Sequence, residues 1–167
     1  MSLNKLKLTT CLWFDSQAEE AANFYTSIFP DSKIVRTQRY PDVGQETHGR
    51  DAGSVMVVEF YLGGNNHFVG LNGGPHVQFN EAVSFQIDCA SQDEVDYYWA
   101  RLSEGADPDR LECGWIADKF GVRWQVVPTV LKDMLSSEDK EAAGRAMLAM
   151  MKMKKMDIAT LEQAFKG

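Results

Sequence analysis

The chain has 167 residues, 44 % of them hydrophobic and 25 % charged, with a net charge of −7. That acidity argues against a nucleic-acid surface, which needs clustered Lys and Arg. No apolar run approaches membrane-spanning length, and the N-terminus MSLNKLK lacks the apolar core of a signal peptide. Three widely spaced cysteines, Cys11, Cys89 and Cys113, show neither a disulfide framework nor a zinc spacing. The expectation is a cytoplasmic protein with no nucleic-acid or membrane partner.

Leu6 to Phe14 reads as a strand, with Leu8, Leu12 and Phe14 on one face and Thr9, Cys11 and Trp13 on the other. Asp15 or Ser16 is placed to cap a helix carrying Ala21, Phe24, Tyr25 and Ile28 at three- and four-residue spacing. Lys33 to Tyr40 reads as a strand, and the polar stretch from Pro41 to Gly53 as a long loop. Ser54 to Leu62 alternates, setting Met56, Val58 and Phe60 against Val57, Glu59 and Tyr61. Gly63 to Asn66 turns the chain into a strand from His67 to Asn72, with His67, Val69 and Leu71 assigned to the apolar face.

The pattern then restarts. Val83 to Cys89 is a strand, Ser91 opens a helix running to about Glu104, and a shift of 75 residues lays Ser16-Gln17 on Ser91-Gln92. Trp115 to Asp118 and Val122 to Val127 are two β runs joined by Asp118-Lys119-Phe120-Gly121, with the glycine where a positive φ is cheap. Each half therefore runs strand, helix, then about three strands. Residues 1–128 are read as one domain of paired modules, about 1–75 and 82–128, and residues 129–167 as a helical extension. In that extension Ser136 or Ser137 is expected to cap one helix and Asp157 the last, with Met147, Met150, Met151, Met153 and Met156 as core filler or a subunit contact.

Cys113-Gly114-Trp115, Asp118 to Val122, Trp124 to Pro128, Phe68 to Pro75 and the tail around Ala149-Met150 and Lys155 to Ile158 carry a family resemblance. With two βαβββ modules, the chain resembles the vicinal oxygen chelate superfamily, which includes glyoxalases, bleomycin-resistance proteins and extradiol dioxygenases. Within it the match is to the PhnB-like branch, often labelled 3-demethylubiquinone-9 3-methyltransferase-like. The resemblance implies an α+β fold in which the modules form a curved mixed sheet of glyoxalase/bleomycin-resistance type, followed by C-terminal helices. It also implies a dimer.

In metal-using relatives four ligands face the concave sheet. Their positions fall here on Thr9, on Gly70 or Asn72, on Ser84 and on Gln125, none of them His, Asp or Glu. Such a set is a poor divalent site, so neither a metal nor another cofactor is expected. For methyl transfer, the first strand ends in Phe-Asp-Ser-Gln, without the glycine-rich turn that cradles a nucleotide cofactor.

Alternation places Thr9, Cys11, Trp13, Glu59, Asn72, Ser84, Gln86, Arg123 and Gln125 on the polar face, together with Val57 and Asp88. Glu59 is the candidate catalytic base, with a pKa expected to rise by partial burial beside Tyr61 and Trp13. The others are candidate ligand contacts. The function expected is metal-independent binding of a small organic ligand in the concave trough, with no reaction assigned. Two alternatives stand beside it: methyl transfer as in 3-demethylubiquinone 3-methyltransferase, and sequestration of a ligand between aromatic walls such as Trp13, Tyr61 and Trp115.

Overall fold

The computed structural model describes residues 8–167. The chain divides into two compact units, the first ending at Gln78 and the second running Phe79–Gly167. Both follow the expected order of strand, helix and three strands, in the α+β class.

In the first unit β1 (Thr10–Phe14) leads into α1 (Ala18–Ile28), β2 (Lys33–Arg39), the short α2 (Gln45–His48), β3 (Val55–Leu62) and β4 (Asn66–Asn72). The sheet order is β1-β4-β3-β2, with the first and last strands parallel and the rest antiparallel. One face is buried because the apolar spacings of helix and strand agree. Ala18, Ala21, Ala22, Tyr25 and Ile28 line one side of α1, and Val58, Phe60 and Leu62 alternate along β3. Phe60 stacks on Phe68 at 5.5 Å and on Tyr25 at 6.3 Å, and each fully buried side chain of this size contributes roughly 1.5–3 kcal/mol. Gly70 is where helix and sheet come closest: a Cβ there would lie 3.1 Å from that of Ala18. Leu8, expected in the core, precedes β1 and is exposed; Leu6 lies outside the described residues.

The second unit repeats the plan with β5 (Phe85–Cys89), α3 (Gln92–Leu102), a 3₁₀ turn at Pro108–Arg110, β6 (Leu111–Glu112), β7 (Trp115–Ala117) and β8 (Arg123–Pro128). Its order, β5-β8-β7-β6, mirrors the first sheet, and β5 pairs parallel with β8. Val83, expected to open this strand, sits before β5 and is exposed. The tight turn before β8 is organised by Asp118, which is buried. Its Oδ1 accepts from the amides of Phe120 and Val122 at 2.9 and 3.0 Å, and its Oδ2 from Trp124 Nε1 at 2.8 Å. Gly121, at φ 88°, closes that turn by donating its amide to the Asp118 carbonyl.

Three helices complete this unit: α4 (Thr129–Ser136), α5 (Lys140–Met150) and α6 (Ile158–Lys166). Asp157 caps α6 as expected, whereas α5 is capped by Asp139 rather than Ser136 or Ser137. Asp139 wins because its carboxylate reaches the amide of Ala142 three residues on, and the helix starts correspondingly later. Arg145 closes the far end of α6 by donating to the carbonyls of Ala164 and Phe165. Of the methionines, Met156 is buried, while Met147 and Met151 are exposed. Among the described residues no helix is long and apolar enough to cross a membrane.

Candidate functional site

Because β3 buries Val58, Phe60 and Leu62, its intervening residues Val57, Glu59 and Tyr61 occupy the front, the face turned away from α1. Glu59 there is the centre of a polar chain. Its Oε2 accepts from Arg36 at 2.7 Å and its Oε1 from His67 Nε2 at 2.9 Å. Nε2–H donates to the carboxylate, and His67 Nδ1 lies 2.8 Å from the Thr9 hydroxyl, from which it accepts when the ring is neutral. Tyr61 stacks its ring on the imidazole, with centroids 4.5 Å apart. A bulge between Ile34 and Arg36 in β2 brings Arg36 opposite Glu59.

The electrostatics differ from the expectation for Glu59. Partial desolvation pushes its pKa up, but hydrogen bonds and charge from Arg36 and His67 outweigh it, and the carboxyl is held below its ordinary value. Glu59 is thus held ionised between Arg36 and His67.

Two expectations about β4 are reversed. His67, Val69 and Leu71 lie on the front, and Asn72 faces the helix. The register is explicit: Val57 pairs with Leu71 and Tyr61 with His67, while Phe68, Gly70 and Asn72 are the buried positions. Asn72 is retained inside because each of its polar groups has a structural partner. Its Oδ1 accepts from the amide of Ala18 at 2.8 Å, its Nδ2 donates to the Val55 carbonyl at 3.0 Å, and its carbonyl accepts from the Tyr40 hydroxyl at 2.7 Å. It caps α1, a role expected of Asp15 or Ser16. Asn72 is therefore a buried structural residue and not the ligand contact expected of it.

Trp13 is on the front, pinned by a hydrogen bond from Nε1 to the Gly74 carbonyl; a Cβ at Gly73 would lie 2.2 Å from its indole. Cys11 is exposed there, and desolvation raises its thiol pKa, which disfavours the nucleophilic thiolate. In the second module Ser84, Gln86, Arg123 and Gln125 all fall on the face opposite α3, as alternation requires. Gln125 donates to Ser84 Oγ at 2.8 Å, pairing these two residues with each other. Gln86 donates to Asp88 at 2.7 Å, and Lys132 joins the same carboxylate at 2.5 Å. Arg123 is 6 % exposed, with NH2 against the carboxylate of Glu81.

Sequence reasoning missed His67 and Arg36. The signal for His67 was in the hairpin: with Leu62 opposite Asn66, Tyr61 must oppose His67 and share its face.

The positions that hold metal in related folds do not fit one here. Gly70 offers no side chain, Asn72 points into the core, and Ser84 and Gln125 satisfy each other. Among the described residues no three His, Cys, Asp or Glu side chains form a group able to hold a metal ion. The N-terminus of α1, where a nucleotide cofactor would lie in a glycine-rich strand–helix turn, is taken by the Asn72 amide.

Two sheets of this order, each with its helix on one face, define a protein of the vicinal oxygen chelate superfamily. The sequence profile of 3-demethylubiquinone-9 3-methyltransferase matches residues 6–127, and the chain belongs to that family, in its PhnB-like branch. It is similar to a PhnB protein from Bacillus cereus, with 32% identity over 74% of this chain and 100% of that one and a TM-score of 0.61. A protein from Pseudomonas aeruginosa shares 18% identity over 74% and 98% of the two chains, with a TM-score of 0.55. The fosfomycin resistance protein FosX from Mesorhizobium loti is 13% identical over 81% and 100%, at a TM-score of 0.54, a likeness of fold alone. No functionally curated protein matches the chain.

Proposed function

We propose that the protein binds a small organic molecule on the front of its sheets and moves a proton at His67 without a metal. The observation that carries this reading is the chain Thr9–His67–Glu59–Arg36, a hydroxyl, an imidazole and a carboxylate in hydrogen-bonded series. That order is the one in which a base is oriented by an acid and faces a proton donor. A ligand O–H or acidic C–H beside Thr9 gives its proton to the Thr9 hydroxyl oxygen as that hydroxyl passes its own proton to Nδ1; Glu59 then stabilises the imidazolium. Arg36 keeps Glu59 ionised, so that it orients the ring instead of taking the proton itself. Positioned acid–base catalysis of this kind supplies about 10²–10⁴-fold in rate.

The test is hydrogen–deuterium exchange into a panel of small carbonyl compounds, followed by NMR in heavy water. Wild type should accelerate exchange into at least one compound, and His67→Gln should lose about 10²–10⁴ of that rate. Binding without exchange by the wild type would reduce the protein to a sequestering one. Elemental analysis of untagged protein should find no stoichiometric Zn, Ni, Fe or Mn.

The reading includes a cytoplasmic homodimer. Met147 and Leu148 near the end of α5, with Met151 at its C-cap, form an exposed apolar stripe, at 40%, 61% and 63% exposure, which a second copy would cover. Met147→Lys with Met151→Lys should shift the protein to monomer in sedimentation.

A further inference from the structure

We infer that the second module holds a carboxylate-binding site that its own Glu81 plugs. This deepens the ligand-binding part of the proposed function and owes nothing to proton transfer at His67. A cavity of about 410 Å³, within the range of small-molecule sites, lies against β7 and β8. Arg123, Arg110, Trp115 and Glu81 are among the residues that line it.

Arg123 marks the site. A buried guanidinium is costly unless its N–H groups are paired. Yet Nε and NH2 of Arg123 are both buried and lack a hydrogen-bond partner. NH2 touches Glu81 Oε1 as an ion pair, but without hydrogen-bond alignment. The same oxygen lies 3.7 Å from Arg110 NH2, so it sits between two guanidinium groups. The side chain of Glu81 is 68% exposed, on the irregular segment ahead of β5. Tethered there, it supplies the right charge in the wrong geometry. An untethered carboxylate is free to accept from Nε and NH2 together, the bidentate fork for which arginine is built.

The rest of the lining narrows the class. Trp115 offers an indole to a flat apolar body. Asp109 and Glu112, also in the lining, disfavour a second negative charge. The ligand is therefore a monocarboxylate with a planar or apolar body, and on binding it displaces Glu81.

Calorimetry on the full chain at pH 7 tests this with benzoate, neutral benzamide and the dianion phthalate. Benzoate should bind at least about tenfold more tightly than either of the others, the discrimination of one charge-assisted pair. Glu81→Gln should tighten benzoate by about tenfold, because a tethered competitor at millimolar effective concentration is gone. Arg123→Met should abolish binding; since that variant can fail to fold, Arg110→Gln at the half-exposed partner should weaken it several-fold in a protein of unchanged circular dichroism. Equal affinity for benzoate and benzamide overturns the site, as does an absence of benzoate binding in both wild type and Glu81→Gln. A Glu81→Gln protein that binds no more tightly than wild type makes the Glu81–Arg123 pair a structural one and overturns the plug. Binding is read directly, so these results stand whatever becomes of exchange at His67.

Discussion

The two modules share one topology and differ at the free edge. In the first, β2 has 7 residues and pairs along β3. In the second, β6 has 2 residues and β7 has 3, too few to cover an edge alone. The C-terminal segment supplies what is missing: the amides of Cys113 and Gly114 each donate at 2.8 Å, to the carbonyls of Met153 and Lys154. Met156 buries itself against Gly114, and Gln92 of α3 ties the segment down through Met156 and Ile158. The family profile stops at residue 127, so the second module is completed by a segment outside the part matched to the family. A shortened ladder is tolerable when backbone acceptors come from elsewhere.

Removing residues 138–167 gives the largest expected effect. The second module should lose its cooperative thermal transition, and the amides of Cys113 and Gly114 should exchange freely in NMR. An unchanged melting curve would show that the short edge needs no cover.

Phe60→Ala, in the core of the first module, should cost roughly 3–5 kcal/mol in urea unfolding. Asp118→Ala in the second should cost roughly 3 kcal/mol, because three N–H donors lose their acceptor at once. Should Asp118→Ala cost less than 1 kcal/mol, the turn would not depend on its carboxylate. Asn72→Ala should follow at about 1–3 kcal/mol, from the uncapped Ala18 amide and the unpaired Val55 carbonyl.

The smallest effect is in the pH profile. The carboxyl of Glu59 is held low in the folded state, so its stabilising contribution is present above its unfolded pKa and lost as pH falls through the folded one. Wild type should therefore lose more stability than Glu59→Gln on acidification below about pH 4.5, the ordinary glutamate value. Asp88, Asp96 and Asp157, also held low by hydrogen bonds, leave a shared acid slope in both proteins. Parallel curves would mean that Arg36 and His67 do not hold Glu59 ionised.

The fold was legible where hydrophobic pattern and burial coincide. In β3 the alternating Val58, Phe60 and Leu62 are apolar and buried, and α1 repeats its small and aromatic residues at helical spacing, so faces could be assigned without contacts. β4 misleads for a physical reason. Its buried positions include Gly70, chosen for the close approach of Ala18, and Asn72, chosen for two distant side-chain hydrogen bonds, while the apolar Val69 and Leu71 face the front. Apolar count then points to the wrong face, and with it went His67. Hairpin register decides such a strand better than hydrophobicity does. The Arg123–Glu81 pair was hidden differently, because Glu81 lies in irregular chain with no periodicity to fix its direction.

Asn72 also sets an order of events. Its side-chain amide joins residues 54 and 17 positions away in sequence, and its main-chain carbonyl one 32 away, so α1 has no side-chain cap until β4 has docked. An emerging chain makes the helix long before it makes the strand that finishes it. At about 5–20 residues per second of synthesis, roughly three to eleven seconds separate Ala18 from Asn72 at the ribosome. During that interval the first turn of α1 lacks the side-chain acceptor for its Ala18 amide. The first module closes late, on its last strand, and one asparagine is the clasp.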